Sequence, residues 1–165
     1  MASGIQRLSG GTVLDDDGRY GLTGRLIDTL HTEALLLADE ARGYFDGPGR
    51  LERDRLSPSE RVGFSCESLK VTTRLMHVVA WLMTRRVEGA REGRSLPHRP
   101  LGEAVVSDAE TIATLPVTAQ QLVGASRDLH DRVRRLEAGM VLGETDTGVS
   151  DGPVRTLMRR LEGTW

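Results

Sequence analysis

Four histidines, a single cysteine and a run of three aspartates are the residues of this 165-residue chain that could do chemistry. Metal binding needs its ligands clustered. His31, His77, His98 and His130 fall in separate segments with no HxxxH or ExxH spacing, so neither metal nor cofactor is expected. Cys66 sits within an apolar helical repeat, the usual place of a small core residue rather than an activated thiolate. Asp15-Asp16-Asp17 stand in a Gly-rich N-terminal stretch with nothing to hold acid-base geometry. No GxSxG, Walker A or GxGxxG run occurs, and Gly47-Pro48-Gly49 lacks the strand that precedes a phosphate loop. No catalytic residue can be named, and the chain reads as a non-enzyme.

The bulk numbers agree with a binding protein. The formal net charge is -2, so no global basic field draws in nucleic acid. Lys70 is the only lysine among the cations, and the rest are arginines. One cysteine permits no intramolecular disulfide, which suits a reducing compartment. The N-terminal stretch lacks the apolar core of a signal peptide, and no apolar run approaches the roughly 20 residues of a membrane helix. A cytoplasmic protein with no membrane partner is expected.

Periodicity predicts three long helices. In the first, over about 22–45, Ile27, Leu30, Ala34, Leu37, Ala41 and Tyr44 make one stripe, widened by Leu26, Leu36 and Ala38. Gly47 can adopt a left-handed cap, and Pro48 cannot extend the ladder. The second helix, over 58–88, starts with Ser57 as cap, Pro58 at the first position and Glu60 completing a capping box. Val62, Cys66, Leu69, Thr73, Met76, Ala80, Met83 and Val87 then form a heptad seam, taken as the core face. Residues 46–57 are read as a charged corner that reverses the chain. The third helix, over 116–142, carries Leu122, Ser126, Leu129, Val133, Leu136 and Met140, with Gly143 as its end. The expected fold is all-α, an antiparallel three-helix bundle with flexible N- and C-terminal tails.

Helix two bears a second apolar stripe, Phe64, Val71, Leu75, Val78 and Leu82, nearly opposite the seam at about 100° per residue. Opposed stripes imply a sandwiched helix, and this stripe is assigned to a homodimer interface; cover by the long loop or the tail is the alternative. Between the stripes runs a polar edge of Glu67, Lys70, Arg74, His77, Trp81 and Arg85. A tryptophan among cations has the makeup of a binding hot spot, or else lies along the helix with arginines stacked on it. Glu67, Arg74, His77 and Trp81, with Tyr44 and Asp46 at the corner, form the candidate partner-binding surface.

The remaining segments are connections and tails. Residues 1–20 are expected to be unordered. Residues 89–115 are too long for a bare bundle loop, and Ser107-Asp108-Ala109-Glu110 reads as a capping box of a short helix within it. Residues 143–152 read as a flexible linker. Beyond it Val154, Leu157, Met158 and Leu161 share one face of a possible helix over 153–162, too short to be stable alone in water.

The stretch Tyr44-Phe45-Asp46-Gly47-Pro48-Gly49-Arg50, followed by Glu67-Ser68-Leu69, Thr72-Thr73-Arg74-Leu75-Met76 and Ala80-Trp81-Leu82, resembles the RcdA family, regulators of CtrA degradation in alphaproteobacteria. The resemblance covers a little over a quarter of the chain. It implies a helical bundle, typically a dimer, acting without catalysis as an adaptor in proteolysis by ClpXP and helping deliver cell-cycle regulators. The implied partners are proteins: the protease ATPase or its other adaptors, and a transcription-regulator substrate. The family's C-terminal tail takes part in delivery, a role that the Val154–Leu161 segment would match. The competing reading is a small helical DNA- or regulator-binding protein using arginines around 50–61 and 85–99. Acidic residues interleave there, which weakens counterion-release binding.

Overall fold

A computed structural model describes residues 16–89 and 99–147, with side chains described over 21–88 and 99–142. Among the described residues five helices follow in order: α1 (Asp16–Asp46), α2 (Pro48–Asp54), α3 (Pro58–Gly89), α4 (Ala109–Ala113) and α5 (Val117–Thr147). No strand occurs among the described residues. The three long helices stand where periodicity put them, with longer ends. Residues 16–20 belong to α1 rather than to an unordered tail, and α5 continues through Gly143 to Thr147. The rest of the N-terminal tail, His98 and the expected helix over 153–162 lie outside the described residues.

The corner between α1 and α3 is itself helical, since α2 occupies most of the expected turn over 46–57. Pro48 opens α2 at a position where no amide donor is needed. Gly47 has φ -109°, so the expected left-handed cap is absent. Sterics explain both glycines instead. A Cβ on Gly47 would lie 2.8 Å from the Gly43 carbonyl oxygen, and one on Gly49 2.8 Å from that of Tyr44 and 3.2 Å from Phe64 Cζ. At the start of α3 the capping box forms in both directions. The Ser57 amide donates to Glu60 Oε2 (2.8 Å) and the Glu60 amide to Ser57 Oγ (3.4 Å). α4 is capped by Asp108, which accepts from the Thr111 amide, and not by Ser107.

Pairings between helices give the topology. Asp28 meets Arg86 at 2.7 Å and Phe45 meets Phe64, so α1 and α3 are antiparallel. α1 is antiparallel to α5 as well, since Glu33 meets Arg132 while the Tyr44 hydroxyl lies by the Ala119 amide. Along α3 and α5, however, Arg74 meets Ser126 and Trp81 meets Glu137, so residue numbers rise together. These two helices are parallel, and the bundle is not the antiparallel one expected. A parallel pair needs a connection back along its own length, which accounts for the long segment before α5. Its described part, 99–108, runs down the α3/α5 groove: Leu101 reaches Glu137, Gly102 reaches His130, Val105 reaches Arg74 and Ser107 reaches Glu67.

The core is built from Ile27, Leu30, Ala34, Ala41 and Tyr44 of α1, and Leu122, Leu129 and Val133 of α5. Leu26 and Leu36, expected to widen the α1 stripe, are exposed. From α3 the core takes Phe64, Val71, Leu75, Val78 and Leu82, all buried within the single chain. Those five residues therefore cannot be a dimer interface. It is the heptad seam, expected to be core, that faces outward: Leu69 is 68% exposed and Met76 65%. What differs is the groups beside the two stripes: Trp81, Glu67 and Arg74 flank the buried one and find partners on α5 and the crossover.

Candidate functional site

The residues predicted to recognise a partner are mostly occupied within the fold. Glu67 Oε1 accepts from Lys70 Nζ (2.7 Å) and Oε2 from Ser107 Oγ (2.5 Å). Arg74 donates through Nη1 to Ser126 Oγ (2.8 Å), and through Nε and Nη2 to the Val105 carbonyl (3.3 and 3.2 Å). Its Nη2 also reaches Ser107 Oγ, completing a buried network across α3, the crossover and α5. Burial lowers the Arg74 pKa, and the Glu67 carboxylate opposes that shift. Trp81 is 4% exposed, and its indole donates to Glu137 Oε1 (3.2 Å). Arg85 lies over the Trp81 ring at 5.2 Å and reaches Glu88 at 2.7 Å. The half-buried His77 packs on Gly102, where a Cβ would come within 2.7 Å of its Cε1 and Cγ.

The α3 edge thus holds the crossover down instead of presenting a surface. Glu67, Arg74 and Trp81 are corrected from partner contacts to buried structural residues. Tyr44 joins them at the corner. Its hydroxyl donates to Glu52 Oε2 at 2.6 Å, and burial, aided by that carboxylate, pushes its pKa well up. Of the six predicted residues only Asp46 is exposed, with Arg50 at 3.5 Å and Arg42 at 3.9 Å. A sequence signal for this network did exist: Ser126 interrupts an otherwise apolar stripe, which suits a polar partner inside the bundle.

Two surfaces remain available. The first is the seam of α3, where Val62, Leu69, Met76, Met83 and Val87 are exposed together with Cys66 and Ala80. From Val62 to Met83 it runs about 32 Å at ~1.5 Å per residue. Ser65 and Thr72 border it on one side and Lys70 on the other, and no charged residue interrupts it. A row so apolar and so long marks an interaction surface.

The second is a groove between α1 and α5, unpredicted by the sequence. Leu36, Leu37, Glu33 and Glu40 line one side, and Ala125, Asp128, Asp131, Arg132 and Arg135 the other. Neither surface has the makeup of an active site. Among the described residues no group of three or more His, Cys, Asp or Glu could hold a metal ion. No described helix is long and apolar enough to cross a membrane.

Comparison with known proteins places this geometry. The family model described as "Protein of unknown function (DUF1465)" matches residues 19–165. The crystal structure of RcdA from Caulobacter crescentus is similar, with 31% sequence identity and a TM-score of 0.53. The alignment covers 70% of this chain and 90% of that one. No curated protein matches the chain. Neither similarity indicates a catalytic family.

Proposed function

From the premise that this chain belongs to the DUF1465 family and, by its likeness to RcdA, to the RcdA family, we propose that it is a non-catalytic adaptor in regulated proteolysis. Its role would be to aid ClpXP-dependent degradation of cell-cycle regulators in the cytoplasm. The similarity to RcdA over most of both chains carries this reading. The partners are then proteins: the protease ATPase or its other adaptors, and a transcription-regulator substrate. An uncharged apolar row beside a buried core supports the same view, because it offers area for a partner and, apart from the Cys66 thiol, no reacting group.

The α3 seam is the self-contact of a homodimer in this reading. Heptad spacing lets two such seams interlock knobs into holes, with Cys66, Thr73 and Ala80 as the small positions between large ones. The C-terminal residues Val154, Leu157, Met158 and Leu161 are assigned to partner contact. The test is reconstitution. Purified chain added to ClpXP and a CtrA-class regulator, with that protease's other accessory factors present, should speed the regulator's degradation, and removal of residues 148–165 should abolish the effect. No acceleration by the full chain overturns the adaptor reading.

A further inference from the structure

We propose that, while no partner engages it, the Val154–Leu161 segment docks in the groove between α1 and α5 of its own chain. Charge carries the first part of the argument. The groove is lined by four acidic residues, Glu33, Glu40, Asp128 and Asp131, and by two arginines, Arg132 and Arg135, a balance of -2. Arg132 is engaged by Glu33, and Asp131 by Arg134. Glu40 and Asp128, one on each wall, make no ion pair among the described residues, and Leu36 on the α1 wall is 68% exposed. The segment after Gly152 carries Arg155, Arg159 and Arg160 against Glu162, a side-chain balance of +2. As a helix it would set Val154, Leu157, Met158 and Leu161 on one stripe, with Arg155 and Arg160 about 110° to either side. An apolar stripe between two cationic flanks matches a groove with an exposed leucine and with acidic residues on both walls.

Length carries the second part. α5 is described as far as Thr147, and its Arg135 lies about 18 Å back from there at ~1.5 Å per residue. Residues 148–153, six in number, can span about 20 Å when extended. A chain folding back along α5 therefore brings Val154 level with Arg135. Seven further residues of helix, about 10 Å, bring Leu161 level with Asp128. The linker is long enough to reach the groove and too short to carry the segment far beyond it. Docking would also supply the packing that so short a helix needs. The occupant of the groove is thus the chain's own C-terminal segment, held where its arginines find Asp128 and Glu40.

Disulfide trapping in the full-length protein tests this without any protease. In a Cys66→Ser background, Leu36→Cys with Leu157→Cys should close an intramolecular disulfide under mild oxidation. It should form at least about tenfold faster than Met83→Cys with Leu157→Cys, reflecting the higher effective concentration of a docked segment. Met83 lies nearer than Leu36 to the level of the α5 end but on the outward seam, so reach alone favours the control pair. Glu40→Lys with Asp128→Lys should slow the Leu36 pair, and adding Arg155→Glu with Arg160→Glu should restore it; circular dichroism confirms that each variant stays helical. Equal rates for the two pairs, a disulfide that joins separate chains, or no effect of the charge changes overturns the proposal. Because no partner is present, this outcome is independent of whether the chain accelerates proteolysis.

Discussion

Trp81 Nε1 and the Leu101 amide converge on the same carboxylate oxygen, Glu137 Oε1, at 3.2 and 2.7 Å. One acidic group on α5 therefore ties α3 and the crossover together under a buried indole. Trp81→Ala should cost about 3–5 kcal/mol of stability through the cavity it leaves. Trp81→Phe, which keeps most of the volume but drops the N–H donor, should cost only about 1 kcal/mol. Urea unfolding distinguishes these; a Trp81→Ala protein as stable as wild type would place the ring outside the core.

Gly102 is held against the His77 ring too closely for any side chain. Gly102→Ala should destabilise the fold by about 1–3 kcal/mol through overpacking. His77→Ala in the same chain should recover most of that loss, because it removes the atoms that the new methyl meets. A double-mutant cycle measures the coupling. Additive effects would show that the two sites do not touch.

The two stripes of α3 should respond oppositely to charge. Leu69→Glu with Met76→Glu on the exposed seam should leave helicity and melting temperature nearly unchanged, and should convert a dimer to monomer in sedimentation. Leu75→Glu with Leu82→Glu buries charges in the core and should unfold the chain, since an unpaired buried charge costs several kcal/mol. A dimer that survives the seam changes would move self-association to another surface.

Acid should act through the helix caps. Hydrogen bonds from the Ser57 hydroxyl and amide hold the Glu60 carboxyl below the usual carboxylate range, and those from the Thr111 amide and hydroxyl do the same for Asp108. Both folded-state values are depressed, so the contribution is full above the unfolded carboxylate pKa of about 4 and is lost as pH falls through the lowered folded values. Urea midpoints compared at pH 6 and pH 3 should fall less for Glu60→Gln with Asp108→Asn than for wild type. An equal fall in both would remove the caps from the acid response.

The local features of this protein could be read from its residues. The capping box of Ser57 and Glu60, the break at Gly47-Pro48-Gly49 and the stripes of α1 and α5 each depend on neighbours within a turn or two. The two apolar faces of α3 were equally legible. Which face would be core was not, because a helical period distributes residues around an axis and says nothing of what lies beside it. That choice was made by α1 and α5, which close on the stripe that Trp81 and Arg74 flank. The polar edge was misread for a related reason. Arg74 is satisfied by Val105, Ser107 and Ser126, and Trp81 by Glu137, partners 31 to 56 positions away along the chain. Charged groups without local partners look solvent-facing in a sequence. Only the parallel pairing of α3 with α5, and the crossover it requires, brings their partners within reach and lets them be buried.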